Sequence, residues 1–366
     1  QWKGYGVVAA MQNGSGPTML VRADLDALPV EEKTDLPYAS KVTANTDAGQ
    51  SVGVMHACGH DIHITCLLGT ARMLANLKDE WRGTLLMVGQ PAEETVDGAK
   101  AMLDAGLYES FPIPNYALAL HSNAELEAGK VGYTPGYFLA SLNSMDITIR
   151  GVGGHGSRPE HTKDPIVLAA QLVLAVQTIV SREVSPLESA VVSIGSIHGG
   201  TRYNIIPDEV HLQLTVRAYQ EEVRRKLLAS LERISLGLAL ASGIPSELAP
   251  VVKVSETEFA PATYNDPVLS LRLAETFKKT LGAQNVVEMP SLMGSEDFGL
   301  YGLERHQIPT FMFWLGAVDP EKVLASKRDG FALPPLHSSR YAPLPEPTIR
   351  TGVKAMTSAV LELMKK

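Results

Sequence analysis

Cysteine is scarce in this chain, and long apolar runs and basic clusters are missing altogether. Two cysteines among 366 residues, Cys58 and Cys66, rule out a disulfide framework. The longest apolar stretch, Ile166 to Val180, is interrupted by Gln171 and Gln177 and reads as too short to span a bilayer. With 32 Lys and Arg against 40 Asp and Glu the net charge is −8, which argues against nucleic acid or an anionic membrane surface as the main partner. Neither an internal repeat nor a low-complexity tract is present. The chain opens on Gln1 with no charged-then-apolar leader. The cytoplasm is therefore the expected location, with an export signal trimmed from further upstream left open.

What is present suits a water-soluble chain of about two domains. Apolar residues make up 45% and charged residues 20%, a usual balance for a globular protein able to bury a sizeable core. A strand-like segment over 6–11 is followed by short apolar runs at 18–22, 84–88 and 116–120. Helical stretches at about 61–77 and 98–105 separate them. Short apolar strands alternating with helices predict a mostly parallel sheet covered on both faces, an α/β architecture.

The middle of the chain reads differently. Met145–Arg150 and Glu209–Arg217 alternate apolar and polar residues, the mark of strands with one wet face. Asp164-Pro165 is an N-cap followed by proline at the first helical position. The order strand 145–150, helix 165–181, strands 190–197 and 209–218, helix 220–240, strand 251–255 is the ferredoxin-like βαββαβ pattern. The α/β style then resumes with a helix at 266–281, a strand at 309–314 and a final helix at 348–365. A catalytic domain over 1–138 and 255–366, with an α+β insert over 139–254, is the organisation expected.

Ligands of open α/β sheets bind at the carboxyl ends of strands, and chemically capable residues recur at those places. Asp24 and Asp26 follow the first run, His56-Ala57-Cys58-Gly59-His60-Asp61-Ile62-His63 stands before the next helix, Glu93 and Glu94 follow 84–88, and His121 follows 116–120. His337 stands near the end. A single buried histidine or glutamate pair is most often structural, but one sheet edge would gather this whole set in one crevice. Thiolate, imidazole and carboxylate together suit zinc, and also cobalt, nickel or manganese. Cys58 and His60 are two apart, so in an extended segment they would face the same way. Of the adjacent glutamates, one can bind metal while the other takes a proton from water. Cys66 reads as a packed core thiol, and His161 as a structural residue at a helix cap.

The motifs RADLDALP, HACGHDIH, GQPAEE, ALH, GVGGHGSRP, NIIPDEV, GSEDF and PLHSS occur in this order between residues 22 and 339. The chain resembles the metallopeptidase family of aminoacylases and zinc carboxypeptidases, in its hippurate hydrolase and indole-acetyl-amino-acid hydrolase branch. That resemblance implies that Cys58, His60, Glu94, His121 and His337 ligate a pair of divalent ions. Glu93 would be the general base and Asp26 would orient a ligand histidine. His155 would stabilise the oxyanion, and the insert would act as lid and homodimerisation domain. Other branches carry His-x-Asp where this chain has Asp24-Leu25-Asp26, which leaves the role of Asp24 open. Arg202 and Asn204, before Pro207, are candidates for holding a substrate carboxylate. Asn204 as a turn residue is the equal alternative.

The expectation is a metal-dependent amidohydrolase of N-acyl amino acids, with a dipeptidase or metallocarboxypeptidase using the same site as the alternative. A retired enzyme serving as a metal-dependent sensor would have lost its base, whereas Glu93 is present. A cysteine hydrolase built on Cys58 is the other rival, because nucleophilic thiolates do sit at helix starts.

Overall fold

The structure, a computed structural model, describes residues 6–46, 48–303 and 307–366. Contacts divide the chain into two units, Gln1–Phe138 with Tyr264–Ser291 and Asp297–Lys366, and Leu139–Thr263 with Leu292–Glu296.

The first unit is built on a seven-stranded sheet. Its strands lie in the order Val7–Asn13, Gly83–Gln90, Thr18–Asp24, Tyr116–Glu127, Thr310–Val318, Val131–Tyr133, Val286–Glu288. Thr18–Asp24 runs parallel to both of its neighbours, and Tyr116–Glu127 runs parallel to Thr310–Val318. Val7–Asn13 closes one edge as an antiparallel strand. Every residue of Thr18–Asp24 is buried, which is why these strands read as unbroken apolar runs instead of alternating ones.

Two sequence boundaries move for physical reasons. The strand expected at 116–120 continues to Glu127, so that His121, Ser122 and Asn123 lie buried within it and not in a loop beyond it. The last helix starts at Pro345, three residues early, because proline in a first turn loses no hydrogen bond. That helix packs against His60–Asn76 through glycine on both sides. A Cβ on Gly352 would stand 2.5 Å from Cys66 Sγ, and one on Gly69 would stand 2.5 Å from a Val353 methyl. Cys66 is thus a core thiol, and burial raises its pKa to about 12.

The second unit is a four-stranded antiparallel sheet ordered Ala190–Gly199, Glu209–Ala218, Ser141–Arg150, Val251–Ala260. Numbered along the chain this is 2-3-1-4, the ferredoxin-like arrangement. Helices Pro165–Thr178 and Glu221–Ala241 bury Leu168, Leu172, Leu227 and Leu231 against Ile147, Ile149 and Leu212. Asp164 caps the first of them, its carboxylate accepting from the backbone N–H groups of Ile166 and Val167. Val251–Ala260 outruns the expected 251–255, because pairing with Ser141–Arg150 resumes after an irregularity between Val254 and Phe259. By length and composition the 19-residue segment Pro165–Glu183 could cross a membrane, so the expectation that it is too short does not hold. In this fold it packs Leu168, Ala169, Leu172, Val176 and Ile179 into the unit's own core.

The glycine contact between the two long helices gives a stability test. Gly352→Ala forces a methyl group onto Cys66 and Leu315, and overpacking of this kind typically costs about 1–3 kcal/mol. Urea unfolding should show a lowered midpoint, and Gly352→Ala/Cys66→Ala should recover part of the loss. A wild-type midpoint for the single variant would contradict the packing.

Candidate metal centre

Three adjacent parallel strands deliver Asp24, Gln90 and His121 to one edge of the sheet. The approach of Cys58 and His60 depends on Gly59. Its φ of 81° is left-handed, and a Cβ there would fall 2.4 Å from Ser122 Oγ. The extended segment expected for Cys58–His60 is therefore not present. The chain turns at Gly59, and His60 is already the first residue of the helix.

The side chains converge as follows. Cys58 Sγ lies 3.5 Å from His121 Nε2 and 3.3 Å from His337 Nε2. His337 Nε2 is 3.3 Å from a Glu94 carboxylate oxygen. His60 Nε2 lies 3.8 Å from Glu93 and 3.9 Å from Glu94. Of the five sets of donor atoms that fit within 4.8 Å of one another among the described residues, three are made of the candidate ligands and Glu93: Cys58, His60 and His121; Cys58, Glu94 and His337; His60, Glu93 and Glu94. Two of these sets share the thiol, the pattern expected of neighbouring cation positions with one common ligand.

Two of these atoms, His60 Nε2 and Glu94 Oε1, are buried without a hydrogen-bond partner among the described residues. Such orphans are rare in folded proteins and call for an explanation; a bound cation supplies one. The outer nitrogens agree with it. His60 Nδ1 lies 3.0 Å from the Asp26 carbonyl oxygen, and His121 Nδ1 lies 2.8 Å from the Ser122 carbonyl oxygen. Donating there fixes each ring with Nε2 toward the cluster, as metal-binding imidazoles require. Asp26 also accepts the Glu94 backbone N–H on Oδ2. Its carboxylate thus orients the ligand loop, while His60 is held mainly by its carbonyl.

The electrostatics are divided. Burial alone would lower His60, but Asp24, Asp26 and Glu94 outweigh it and raise its pKa to about 9. Burial pushes Glu94 up against the pull of His337 and His60. The same desolvation takes His63 and His121 down to about 4.

Backbone strain clusters here too. Ala92 and Val96 flank the two glutamates at φ of 56° and 53°, and His337 has φ of 66°. All three occupy a region that side chains with a Cβ rarely adopt, a condition found preferentially at functional sites.

The remaining sequence candidates lie in the second unit. His155 is paired in register with Ile205, and the Gly156 N–H donates to the Asn204 carbonyl, so His155 and Asn204 share one exposed ladder, with Arg202 in the loop leading into it. His155 Nδ1 accepts from the Ser157 N–H at 3.0 Å, which leaves Nε2 outward. His161 caps no helix; it ends a short 3-10 turn and pairs with Glu160 at the surface. Sequence reading placed His63, one turn along the helix from His60, in the candidate run without giving it a role. Both its nitrogens are engaged, by Asp24 Oδ1 at 2.6 Å and by the Ser122 N–H at 2.8 Å. Its spacing from His60 was the available signal.

A parallel sheet offering thiolate, imidazole and carboxylate donors at its carboxyl edge, with a ferredoxin-like insert, defines a metal-dependent hydrolase. The chain belongs to peptidase family M20/M25/M40, which residues 20–334 match. It is 36% identical over 318 residues to the N-acetylcysteine deacetylase of Bacillus subtilis (strain 168), covering 87% of this chain and 78% of that one. It is 40% identical over 298 residues to the hippurate hydrolase of Campylobacter jejuni, covering 81% and 73%. Among solved structures, an aminohydrolase from methicillin-resistant Staphylococcus aureus superposes with a TM-score of 0.82 at 32% identity, covering 98% and 85%. A Bacillus subtilis protein described as a dinuclear metal binding peptidase superposes with 0.75 at 28%, covering 98% and 85%.

The two depressed histidines make the metal-free protein acid-sensitive. Both take up a proton near pH 6.5 in the unfolded chain but only near 4 when folded. Their contribution to stability is full above 6.5 and lost as pH falls toward 4, with a slope of up to about 2.7 kcal/mol per pH unit for two protons. His60, raised to about 9, contributes fully below 6.5 and loses its contribution as pH rises through 9. Urea midpoints of chelator-treated protein should therefore drop between pH 7 and 5. A flat profile over that range would contradict the neutral, buried state of His63 and His121.

Proposed function

We propose that this chain is an amidohydrolase that splits the acyl–nitrogen bond of N-acyl amino acids, with Cys58, His60, Glu94, His121 and His337 holding a pair of divalent cations. The observation that carries this reading is the orphaned His60 Nε2 and Glu94 Oε1 inside a cluster of thiol, imidazole and carboxylate. Bound there, zinc, manganese, nickel or cobalt would supply Lewis acidity toward the amide carbonyl and lower the pKa of a water.

The chain's own residues do the rest. Glu93 takes the proton from the water that attacks the carbonyl carbon, and delivers it to the leaving nitrogen as the C–N bond breaks. The products are a carboxylate and a free amine. Asp26 holds the Glu94 loop through its backbone N–H, keeping the two glutamates in different roles. His155 Nε2 donates to the developing oxyanion, while Arg202 and Asn204 receive the substrate's carboxylate. Relatives named for N-acetylcysteine, N-acetyldiaminopimelate and hippurate support the substrate class. A relative named as a carboxypeptidase keeps peptides in the test panel. A thiolate ligand survives best in a reducing compartment, which supports a cytoplasmic location.

In this reading the insert, drawn from the sequence at 139–254, is the lid and the homodimer contact. Its edge strands Ala190–Gly199 and Val251–Ala260 each leave one side unpaired within the sheet, a template for pairing about a two-fold axis. Closure about hinges near residues 138 and 255 would bring His155 over the bound amide.

The adjacent glutamates should separate cleanly. Glu94→Ala should lower bound metal, whereas Glu93→Gln should keep metal and lose about 10²–10⁴-fold in kcat. Assays on acetyl-, benzoyl- and indole-acetyl-amino acids beside dipeptides read the substrate class. Near-normal kcat for Glu93→Gln would overturn the assignment, and loss of activity to iodoacetamide but not to chelator would favour a Cys58 nucleophile.

Subunit mixing tests the lid. Inactive Glu93→Gln and His155→Ala proteins, allowed to exchange subunits, should regain activity toward half per dimer if His155 serves its partner. No recovery would place it in cis, and a monomer in light scattering would remove the dimer itself.

A further inference from the structure

One fully enclosed cation is unused by the chemistry above. Arg22, in the strand Thr18–Asp24, has no exposed side-chain surface. Its Nη1 donates to Asp24 Oδ2 at 2.7 Å, its Nη2 to Asp297 Oδ1 at 3.0 Å, and its Nε to Gln90 Oε1 at 2.9 Å. A guanidinium presents donors on three separate nitrogens in a fixed plane, matching three partners spread around it, whereas an ammonium offers its three donors from a single atom.

From Arg22 a continuous relay runs to the candidate metal ligands. The other Asp24 oxygen, Oδ1, accepts from His63 Nδ1–H at 2.6 Å. His63 Nε2 accepts the Ser122 N–H at 2.8 Å, and the Ser122 carbonyl lies 2.8 Å from His121 Nδ1, where it accepts that ring's proton. His63 is thereby neutral with its tautomer fixed, and it sits one helical turn from His60. By distance alone Asp24, His60 and His63 could hold a cation of their own. The hydrogen bonds argue against it, because both His63 nitrogens and both Asp24 oxygens already have partners. Asp24 Oδ2 nevertheless lies only 3.7 Å from the orphaned His60 Nε2. What separates that carboxylate from the cluster is its ion pair with Arg22.

We propose that Arg22 is a positioning residue for the metal centre. It keeps Asp24 out of the coordination shell and, through Asp24, His63 and Ser122, sets the orientation of His121. This answers the question that the sequence left open for Asp24, and it rests on the metal-binding reading above.

Cobalt(II) titrated into metal-free protein, followed by visible absorption, reads the coordination shell without turnover. Arg22→Lys keeps the charge but not the fork. His63→Gln interrupts the relay at an uncharged member, so that it tests the relay if Arg22→Lys does not fold. In folded variants the expected result is cobalt affinity weakened about 10–100-fold, the range typical for outer-shell partners, together with a shifted absorption spectrum. A purely structural Arg22 would lower thermal stability while leaving the spectrum and affinity of the folded protein unchanged, and that outcome overturns the proposal. Wild-type protein that binds no cobalt would instead overturn the metal reading itself.

Discussion

Removing charged groups from water is costly unless they are paired or coordinated, and here that cost is concentrated at the ends of three parallel strands. Asp24, Asp297, Arg22, His60, His63 and His121 are all buried there. Arg22 and the two aspartates satisfy one another, while His60 Nε2 and Glu94 Oε1 stay buried without a hydrogen-bond partner among the described residues. The site thus has two layers. The inner layer is balanced by the protein's own hydrogen bonds, and the outer one is where the proposed cations would complete the balance. Strand order, the turn at Gly59 and the cap-like loop after Gln90 all serve to bring these layers into register.

The two units follow different folding rules, and that difference is visible in the burial patterns. Thr18–Asp24 is enclosed on both faces, while Glu209–Ala218 alternates buried and exposed residues along most of its length. A rigid parallel sheet suits ligands that must be held to a few tenths of an ångström. An antiparallel sheet with one free face leaves surface available for other contacts.

Much of this was legible in the sequence. Strand–helix alternation and period-two patterning distinguished the parallel from the antiparallel sheet, and residue type at strand ends singled out Cys58, His60, Glu93, Glu94, His121 and His337, whose side chains the fold brings close together. What was not legible depends on backbone torsion or on distant partners. Nothing in the letters around Gly59 specifies a left-handed turn, so the Cys58–His60 geometry was misread as extended. His63 and Asp24 acquire their roles from Ser122 and Arg22, and Arg22 in turn from Asp297, which is 275 residues away. Polar residues inside Tyr116–Glu127 hid the strand's second half, because buried polar side chains look like a loop until their partners are known.

The left-handed residues beside Glu93 and Glu94, and at His337, have a practical consequence for engineering. Glycine or asparagine at Ala92, Val96 or His337 would relieve torsional strain, so a library ranked by melting temperature would enrich such substitutions. Those same positions flank Glu93 and Glu94 or carry a candidate ligand, so the relaxed loop would hold its carboxylates or imidazole less firmly. Thermal screening would then reward loss of function at these three sites, and selection here needs turnover as its first criterion.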